Sequence, residues 1–366
     1  MWDSIWTAGI PGWLEIMLAA GLDMIFPKPK QLAQWHGALN AWTELVFRLS
    51  HGRGRTAIMH SRQSTQRLSW IMLLAVPVAI FVIMGATVMV MKRTVPAFWT
   101  SIIRILLLYM AFDGGRSIWN GGRIALALRK DKLDLARGLL SRLLQRDTEK
   151  LSARGIARAT SEAVVRGMLH GAIAPLFCMG AISRRWPFGS LANYAILIAY
   201  FYLGLLAVHR FAETHPSEAP SLSIAQLVFS WLMFFPSRVF AGLILTAAWV
   251  FRKNAHSGFW FLVQDNRKGG RSGEAWPMAA LAGSLGIRLG GGAYYGGVWK
   301  DAPSVGFDVH EPGLNQLAYA LGICLLSGLF CLAISVFLPS LTMLIAVGMA
   351  LAVIWGMMRG LNAQRP

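Results

Sequence analysis

Long apolar segments alternate with basic connecting segments over most of the chain. Apolar segments of about 20 residues are long enough to cross the hydrocarbon core of a bilayer as helices. We predict six spans, at residues 70–91, 98–112, 188–208, 224–251, 317–338 and 341–358. The pattern therefore predicts an all-α fold, a polytopic membrane helical bundle.

Two further apolar segments do not fit a simple span. Segment 13–26 is too short to cross unaided, and we predict an interfacial or re-entrant helix there. Segment 163–182 contains Arg166 and His170 and is interrupted by Pro175. An arginine near the middle of a lipid-facing span costs about 2.5 kcal/mol or more. We therefore predict that this segment is re-entrant or covered by protein.

Residues 113–158 are amphipathic and strongly charged. An apolar face alternates with basic residues at helical spacing, which is typical of a helix lying on the cytoplasmic membrane surface. The apolar face is formed by Leu133, Ala136, Leu140, Leu143 and Leu144.

The distribution of charge predicts the topology. If 163–182 does not cross, the basic loops fall on one side and the loop with Glu213 and Glu218 on the other, as the positive-inside rule requires. We predict a bacterial inner-membrane protein with both termini in the cytoplasm. Its single domain, 1–366, would comprise an interfacial segment and basic loop (1–68), helical hairpins (69–112, 188–251, 316–358) and cytoplasmic regions (113–187, 252–315).

Composition narrows the class of protein. The 366 residues are 55% hydrophobic and include 15 tryptophans, which excludes an ordinary soluble domain. The formal charge is +18, but the basic residues lie beside apolar spans, where they favour anionic membrane lipid rather than nucleic acid as a partner. Cys178, Cys324 and Cys331 lie in apolar stretches, so we expect buried, unreactive thiols and no disulfide scaffold.

The stretch 274–297 is the strongest functional signal. It reads EAWPMAALAGSLGIRLGGGAYYGG, a small-residue helix pattern followed by Arg288 and a glycine run that includes Gly290 and Gly291. Small residues permit close helix packing, and glycines allow backbone N–H groups to turn toward a ligand. The pattern predicts a site for an anionic ligand; the alternative is a glycine-closed helix end with Arg288 at the lipid headgroups.

This stretch, together with RDTEKLSARGIARATSEAVVRGMLHGAIAPLF (146–177) and the PSR of 236–238, resembles the CobD/CbiB family of cobalamin-biosynthesis membrane proteins. The resemblance implies an adenosylcobinamide-phosphate synthase, which joins a carboxylate of adenosylcobyric acid to aminopropanol or its phosphate. Such a reaction would use a nucleotide and Mg²⁺. A corrinoid or other anionic compound would then be the ligand.

Thirteen positions match the polar and glycine residues of the family motifs, and the resemblance implies that they contact ligand. They are Arg146, Asp147, Thr148, Glu149, Thr160, Glu162, Arg238, Asp265, Arg288, Gly290, Gly291, Tyr294 and Tyr295. For residues 147–149 a helix boundary with capping side chains is the structural alternative.

Other family positions have changed, and the changes remove carboxylates and amides. Arg166, Gly167 and His170 stand where the family has ENxxDG; Pro27, Lys28 and Pro29 stand for GDP; Gln34 and Trp35 for HP; Tyr200 for the aspartate of NTLDSMVG; Phe229 and Ser230 for paired aspartates; Met233 for an asparagine; and Met278 for the glutamate of WPE.

These losses leave two main hypotheses. In the first, the protein is a catalytically degenerate relative that acts in binding, assembly or signalling, without a metal site and with no assigned catalytic residue. In the second, it is an active synthase in which Asp23, Asp113 and Glu162 replace the missing acids. A third, an accessory subunit packed against a membrane-protein partner or a homo-oligomer, is allowed by the tryptophan content. His170 would be a metal ligand or, more simply, a structural histidine.

Overall fold

A computed structural model describes the chain as packed helices with a small strand region. It describes residues 10–26, 28, 38–39, 41–46, 62–144, 146–182, 191–214, 223–265, 273–295, 297–307 and 312–337. The helices are α1 (Gly12–Ile25), α2 (Arg62–Thr94), α3 (Ala97–Ala111), α4 (Gly114–Arg129), α5 (Leu133–Ser141), α6 (Ala153–Met168), α7 (Ala174–Ile182), α8 (Leu191–Thr214), α9 (Ser223–Val250), α10 (Ala255–Asp265), α11 (Ala275–Leu285) and α12 (Leu314–Phe337).

Four of these helices are long and apolar enough to cross a membrane. Their candidate spans are Ala75–Thr94, Asn193–Phe211, Gln226–Val250 and Leu314–Ser335. They confirm four of the predicted spans and make this a multi-pass membrane protein. The sixth predicted span, 341–358, lies outside the described residues.

The second predicted span, 98–112, corresponds to a short helix that is joined to α4 at a bend. Helix α3 has only 15 residues and is bent by 55° from α4, so the two form either one broken span or a re-entrant pair. Arg104 lies in the middle of α3 and is nearly buried, with its guanidinium bound to both carboxylate oxygens of Glu15 on α1. A span at 98–112 therefore stays a prediction, and the central charge of α3 is paired inside the protein, as a helix in the membrane requires.

Helix α5 also departs from the prediction. Ala136 and Leu140, the central positions of its apolar face, are fully buried against residues of α4 and α6, including Ile124 and Ile156. This face is covered by protein, so it does not lie on the membrane surface. The apolar periodicity of α5 is present, but such a periodicity does not distinguish a face covered by lipid from one covered by a neighbouring helix.

Residues 163–179 are mostly buried by protein, in agreement with one of the two predicted alternatives, although the Arg166 side chain is 48% exposed. Ser152 caps the start of helix α6, because its side chain accepts a hydrogen bond from Gly155 N. The helix continues through a π-helical turn (Leu169–Ile173) into α7. A Cβ atom at Gly167 or Gly171 would collide with α4 at Ser117 or Asp113. This close approach buries the segment against α4. In α7, burial raises the pKa of the Cys178 thiol to about 12, so this thiol is unreactive at neutral pH.

A strand region follows α11 and adds two small sheets to the predicted all-helical bundle. Strands β1 (Arg288–Gly290) and β4 (Ser304–Gly306) pair antiparallel, as do β2 (Ala293–Tyr295) and β3 (Val298–Lys300). The glycine run therefore forms the end of β1 and its connection to β2.

Candidate functional site

The stretch 274–297 forms the helix and the turn that its sequence predicts. Helix α11 is almost entirely buried and ends at Gly286, which adopts the left-handed conformation with φ 66°. Gly290 and Gly291 have φ values of 76° and 92°, a region that residues with a Cβ avoid. The glycines thus allow the chain to leave β1 and approach α6.

Glu162 joins this turn to two arginines. Its Oε1 accepts a hydrogen bond of 2.8 Å from Gly290 N, and its Oε2 accepts one of 3.1 Å from Arg146 Nη1. Arg158 Nε lies 3.7 Å from Oε1. The structure therefore brings together Arg146, Glu162 and Gly290, three of the predicted site residues, with Arg288 at the other end of the three-residue strand β1.

Asp147 binds the backbone of the hairpin that β2 and β3 form. Its backbone N–H donates to Tyr294 O at 2.9 Å, and its Oδ2 accepts from Gly297 N at 2.7 Å. Tyr294 is 49% exposed and packs edge-on against Trp299. Tyr295 pairs with Val298 in the β2–β3 register. Residues 146–149 and the β2–β3 hairpin therefore form one edge of the site.

The remaining predicted residues have other roles. Asp265 is buried and accepts a hydrogen bond from Gly306 N, which fixes β4 and hence its partner β1. The hydroxyl groups of Thr148 and Thr160 donate to the backbone carbonyls of Arg137 and Ile156, and Glu149 is exposed.

Arg238 is stacked on two aromatic rings. Its guanidinium carbon lies 3.3 Å from the ring centroid of Phe234 and 4.1 Å from that of Trp276, and Nη1 donates to Phe234 O. Trp276 opens α11, so Arg238 borders the helix of the glycine stretch through this ring.

A second cluster contains four of the positions at which the resemblance expects carboxylates or amides, namely Arg166, His170, Phe229 and Met233. Arg166 Nε donates to Glu274 Oε2 and His170 Nε2 contacts Glu274 Oε1, each at 2.9 Å. Burial would raise the pKa of the Glu274 carboxyl, but the charge of Arg166 and the contact with His170 outweigh burial and lower it to about 2. Glu274 is therefore ionised and has both oxygens engaged.

Aromatic rings fill the space next to His170. The ring centroid of Phe229 lies 4.2 Å from that of His209 and 5.7 Å from that of His170. The Tyr202 hydroxyl donates to His170 O, and Phe229 and Met233 are fully buried. The sequence analysis did not identify Glu274 and His209 as site residues; the one available signal was that Glu274 precedes Met278 by four positions, the length of one helical turn.

A third cluster involves two of the acids considered as replacements. Lys28 Nζ lies 3.9 Å from Asp23 Oδ1 and 3.8 Å from Asp113 Oδ1, and it donates to Met110 O. Asp113 Oδ2 also accepts from Arg116, and Asp23 Oδ2 accepts from Gly115 N. Pro27, Pro29, Gln34 and Trp35 lie outside the described residues.

These residues do not fit Mg²⁺. Among the described residues no group of three or more His, Cys, Asp or Glu side chains has the spacing of a metal site. The amine of Lys28 lies between Asp23 and Asp113, and burial raises the pKa of Asp23 to about 6 against the effect of Lys28. Glu162 is engaged with arginine. The acids proposed as substitutes are thus balanced by protein cations.

The family model and the similar proteins that comparison finds have the same description. The family model described as CobD/Cbib protein matches residues 16–215 and 230–324. Proteins described as "Cobalamin biosynthesis protein CobD" are similar to this chain. The protein from Clostridium perfringens is 29% identical over 62% of this chain and 69% of its own length. The protein from Yersinia enterocolitica is 29% identical over 61% of this chain and 65% of its own length. The protein from Clostridium tetani is 24% identical over 84% of this chain and 94% of its own length. No solved structure shows significant similarity.

Proposed function

Because this chain belongs to the CobD/CbiB family, we propose that it is a member of that family which binds an anionic ligand but does not form the amide bond. It would act as a binding, assembly or signalling component in the bacterial inner membrane, with both termini in the cytoplasm. A corrinoid is the ligand class that the family suggests. Membrane lipid surrounds its spans, and it either pairs with itself or joins a membrane-protein partner.

The closed cluster around Glu274 carries this proposal. Arg166 and His170, at positions where the resemblance expects carboxylates, both bind Glu274. Phe229 and Met233, at further expected carboxylate and amide positions, are fully buried among aromatic rings. Activation of a carboxylate needs oxygen ligands for a metal or a base for the amine. Here the expected oxygen atoms are replaced by cations and apolar groups.

The cluster around Glu162 supports retention of binding. Arg146 Nη1 and Gly290 N both bind Glu162, but Nε and Nη2 of the buried Arg146 guanidinium have no hydrogen-bond partner among the described residues. Guanidinium groups and backbone N–H groups are the usual partners of carboxylates and phosphates. The remaining donors of Arg146 therefore favour an anionic ligand at this edge.

A complementation experiment tests the proposal. The gene would be expressed in a strain that lacks adenosylcobinamide-phosphate synthase, with the Clostridium tetani relative as the positive control. We expect no cobalamin-dependent growth from this chain, although membrane fractions contain it at a level similar to the control. Growth equal to that of the control would refute the loss of activity.

A binding measurement tests the second part of the proposal, that the protein binds an anionic ligand. Purified protein in detergent would be titrated with adenosylcobyric acid, and binding followed by the corrinoid absorbance. We expect saturable binding that is weakened about tenfold or more in Arg288→Ala, the loss of a charged contact. Arg142→Ala, a change on an exposed arginine of the α5 end, is the matched control and should bind like the wild type. Equal binding by both variants would remove Arg288 from the site.

The retained Arg146–Glu162–Gly290 cluster favours a second candidate, an active synthase with a rearranged set of acids. This candidate predicts that the wild-type gene complements and that Glu162→Gln or Arg288→Ala abolishes growth. It further predicts product formation by the purified protein from adenosylcobyric acid, aminopropanol phosphate, ATP and Mg²⁺. Failure of the wild-type gene to complement excludes it.

A further inference from the structure

Helix α10 has an outward face of large apolar side chains. Phe259 is 56% exposed, Trp260 54% and Val263 61%. These residues lie on one side of the helix because Val263 follows Trp260 by three positions and Phe259 by four. Between Ala255 and Gln264 the helix contains no Asp, Glu, Lys or Arg. A face of this kind is expected to be covered by something other than water.

The opposite face fixes the orientation of α10. A Cβ atom at Gly258 would collide with Ser284 and lie 2.9 Å from Ala280 O, and one at Gly283 would lie 2.7 Å from Ser257 O. Leu262 is buried, and Asp265 binds the backbone of β4. The helix is therefore packed tightly against α11 and cannot rotate its aromatic side chains inward.

The position of α10 in the chain places its start at a membrane border. The candidate span of α9 ends at Val250, which is 50% exposed, after Trp249, which is 72% exposed. The connection to α10 is anchored on α12, because Lys253 Nζ lies 3.4 Å from the ring centroid of Tyr319 and Phe251 packs edge-on against the same ring. Tyr319 belongs to the span Leu314–Ser335. The four-residue connection is thus fixed to the ends of two spans.

We propose that the outward face of α10 lies in the headgroup region of the bilayer and anchors the glycine turn to the membrane surface. Tryptophan and phenylalanine at a span end, followed by basic Arg252 and Lys253, are the composition that interfacial helices use with anionic lipid. Since α11 packs on the inner side of α10, the anchor would hold the ligand edge beside the membrane.

The test uses a fluorescent label on the full chain. Phe259→Cys would be labelled with an NBD fluorophore in vesicles of phosphatidylethanolamine and phosphatidylglycerol. Leu135→Cys, at a 52% exposed position on the charged helix α5, is the matched control. The wild-type chain, with Cys178, Cys324 and Cys331, measures background labelling. Quenching would be compared between lipids that carry a nitroxide near the headgroup and aqueous iodide.

We expect the label at position 259 to be quenched several-fold more by the nitroxide lipid than the label at position 135, and to be protected from iodide. Iodide quenching equal to that at position 135 would place the face in water and overturn the proposal. Protection from both quenchers would show that a second copy or another protein covers it, which also overturns the proposal. Trp260→Cys repeats the measurement if Phe259→Cys does not give a monodisperse protein.

Discussion

Arg166 Nε donates a hydrogen bond of 2.9 Å to Glu274 Oε2, although the two residues are 108 positions apart in the sequence. The pair links the buried helix α6 to the first residue before α11, the helix of the glycine stretch. His170 occupies the other oxygen of Glu274. The ion cluster therefore couples a region where the resemblance expects acids to the helix of the glycine stretch, and it engages both carboxylate oxygens of Glu274.

The Glu274 cluster makes stability depend on pH. The folded pKa of Glu274, about 2, is below its ordinary value of 4.5. Its contribution is therefore fully present above pH 4.5 and is lost as pH falls through about 2. We expect Glu274→Gln to lower stability at pH 7 by on the order of 2 kcal/mol, less than the pKa difference alone implies because Arg166 is half exposed.

Thermal unfolding in detergent between pH 7 and pH 3 measures this effect. The gap between the wild type and Glu274→Gln should narrow as the solution is acidified. Asp134→Asn is the control, because the Asp134 side chain is 97% exposed, and its curve should follow the wild type. A gap for Glu274→Gln that stays constant over the whole range would contradict the assigned pKa.

The sequence predicted local features and missed the pairings between distant segments. Span lengths and the small-residue helix at 275–285 depend on composition within a short window, which is why α9 and α11 agree with the prediction. The partner of Arg166 depends on how α6 packs against α11, and no spacing in the chain encodes it. The prediction that the apolar face of α5 contacts the membrane was wrong for a related reason. The spacing of its apolar residues is the same whether Leu140 contacts lipid or Ile156.

The glycine turn at the site provides a matched pair of substitutions. Gly290 and Gly291 both have positive φ, but a Cβ at Gly290 would lie 2.7 Å from Pro303 O, whereas one at Gly291 has nothing within 4 Å. Gly291→Ala should cost about 1 kcal/mol, the backbone strain alone. Gly290→Ala adds a collision with the strand region, and we expect about 2 to 4 kcal/mol and weaker adenosylcobyric acid binding. Thermal unfolding and the corrinoid titration measure the two effects; equal losses would contradict the close approach.

The crossing of α2 and α8 gives a second matched pair inside the membrane bundle. A Cβ at Gly204 would lie 2.6 Å from Pro77 Cα, a backbone atom that cannot rotate away, whereas one at Gly85 would lie 3.7 Å from Leu197 Cδ2. Gly204→Ala should therefore destabilise the protein by about 1 to 3 kcal/mol through overpacking. Gly85→Ala should be neutral or slightly stabilising, because alanine favours a helix. The yield of monodisperse protein and its unfolding midpoint test this, and a tolerated Gly204→Ala would contradict the close helix contact.

The buried pair of Arg104 and Glu15 connects α1 to α3 and permits a double-mutant cycle. Arg104 donates to Glu15 at 2.6 and 2.9 Å, and the Glu15 side chain is fully buried. Removal of one partner leaves a buried charge without its counter-charge, so Arg104→Met and Glu15→Gln should each cost about 3 to 5 kcal/mol. The double variant should be less destabilised than the sum of the two, because neither charge remains. Unfolding midpoints of the four proteins in one detergent give the coupling. Additive losses would mean that the pair does not hold α1 against α3, and the account of α3 as a helix with an internally neutralised charge would fail.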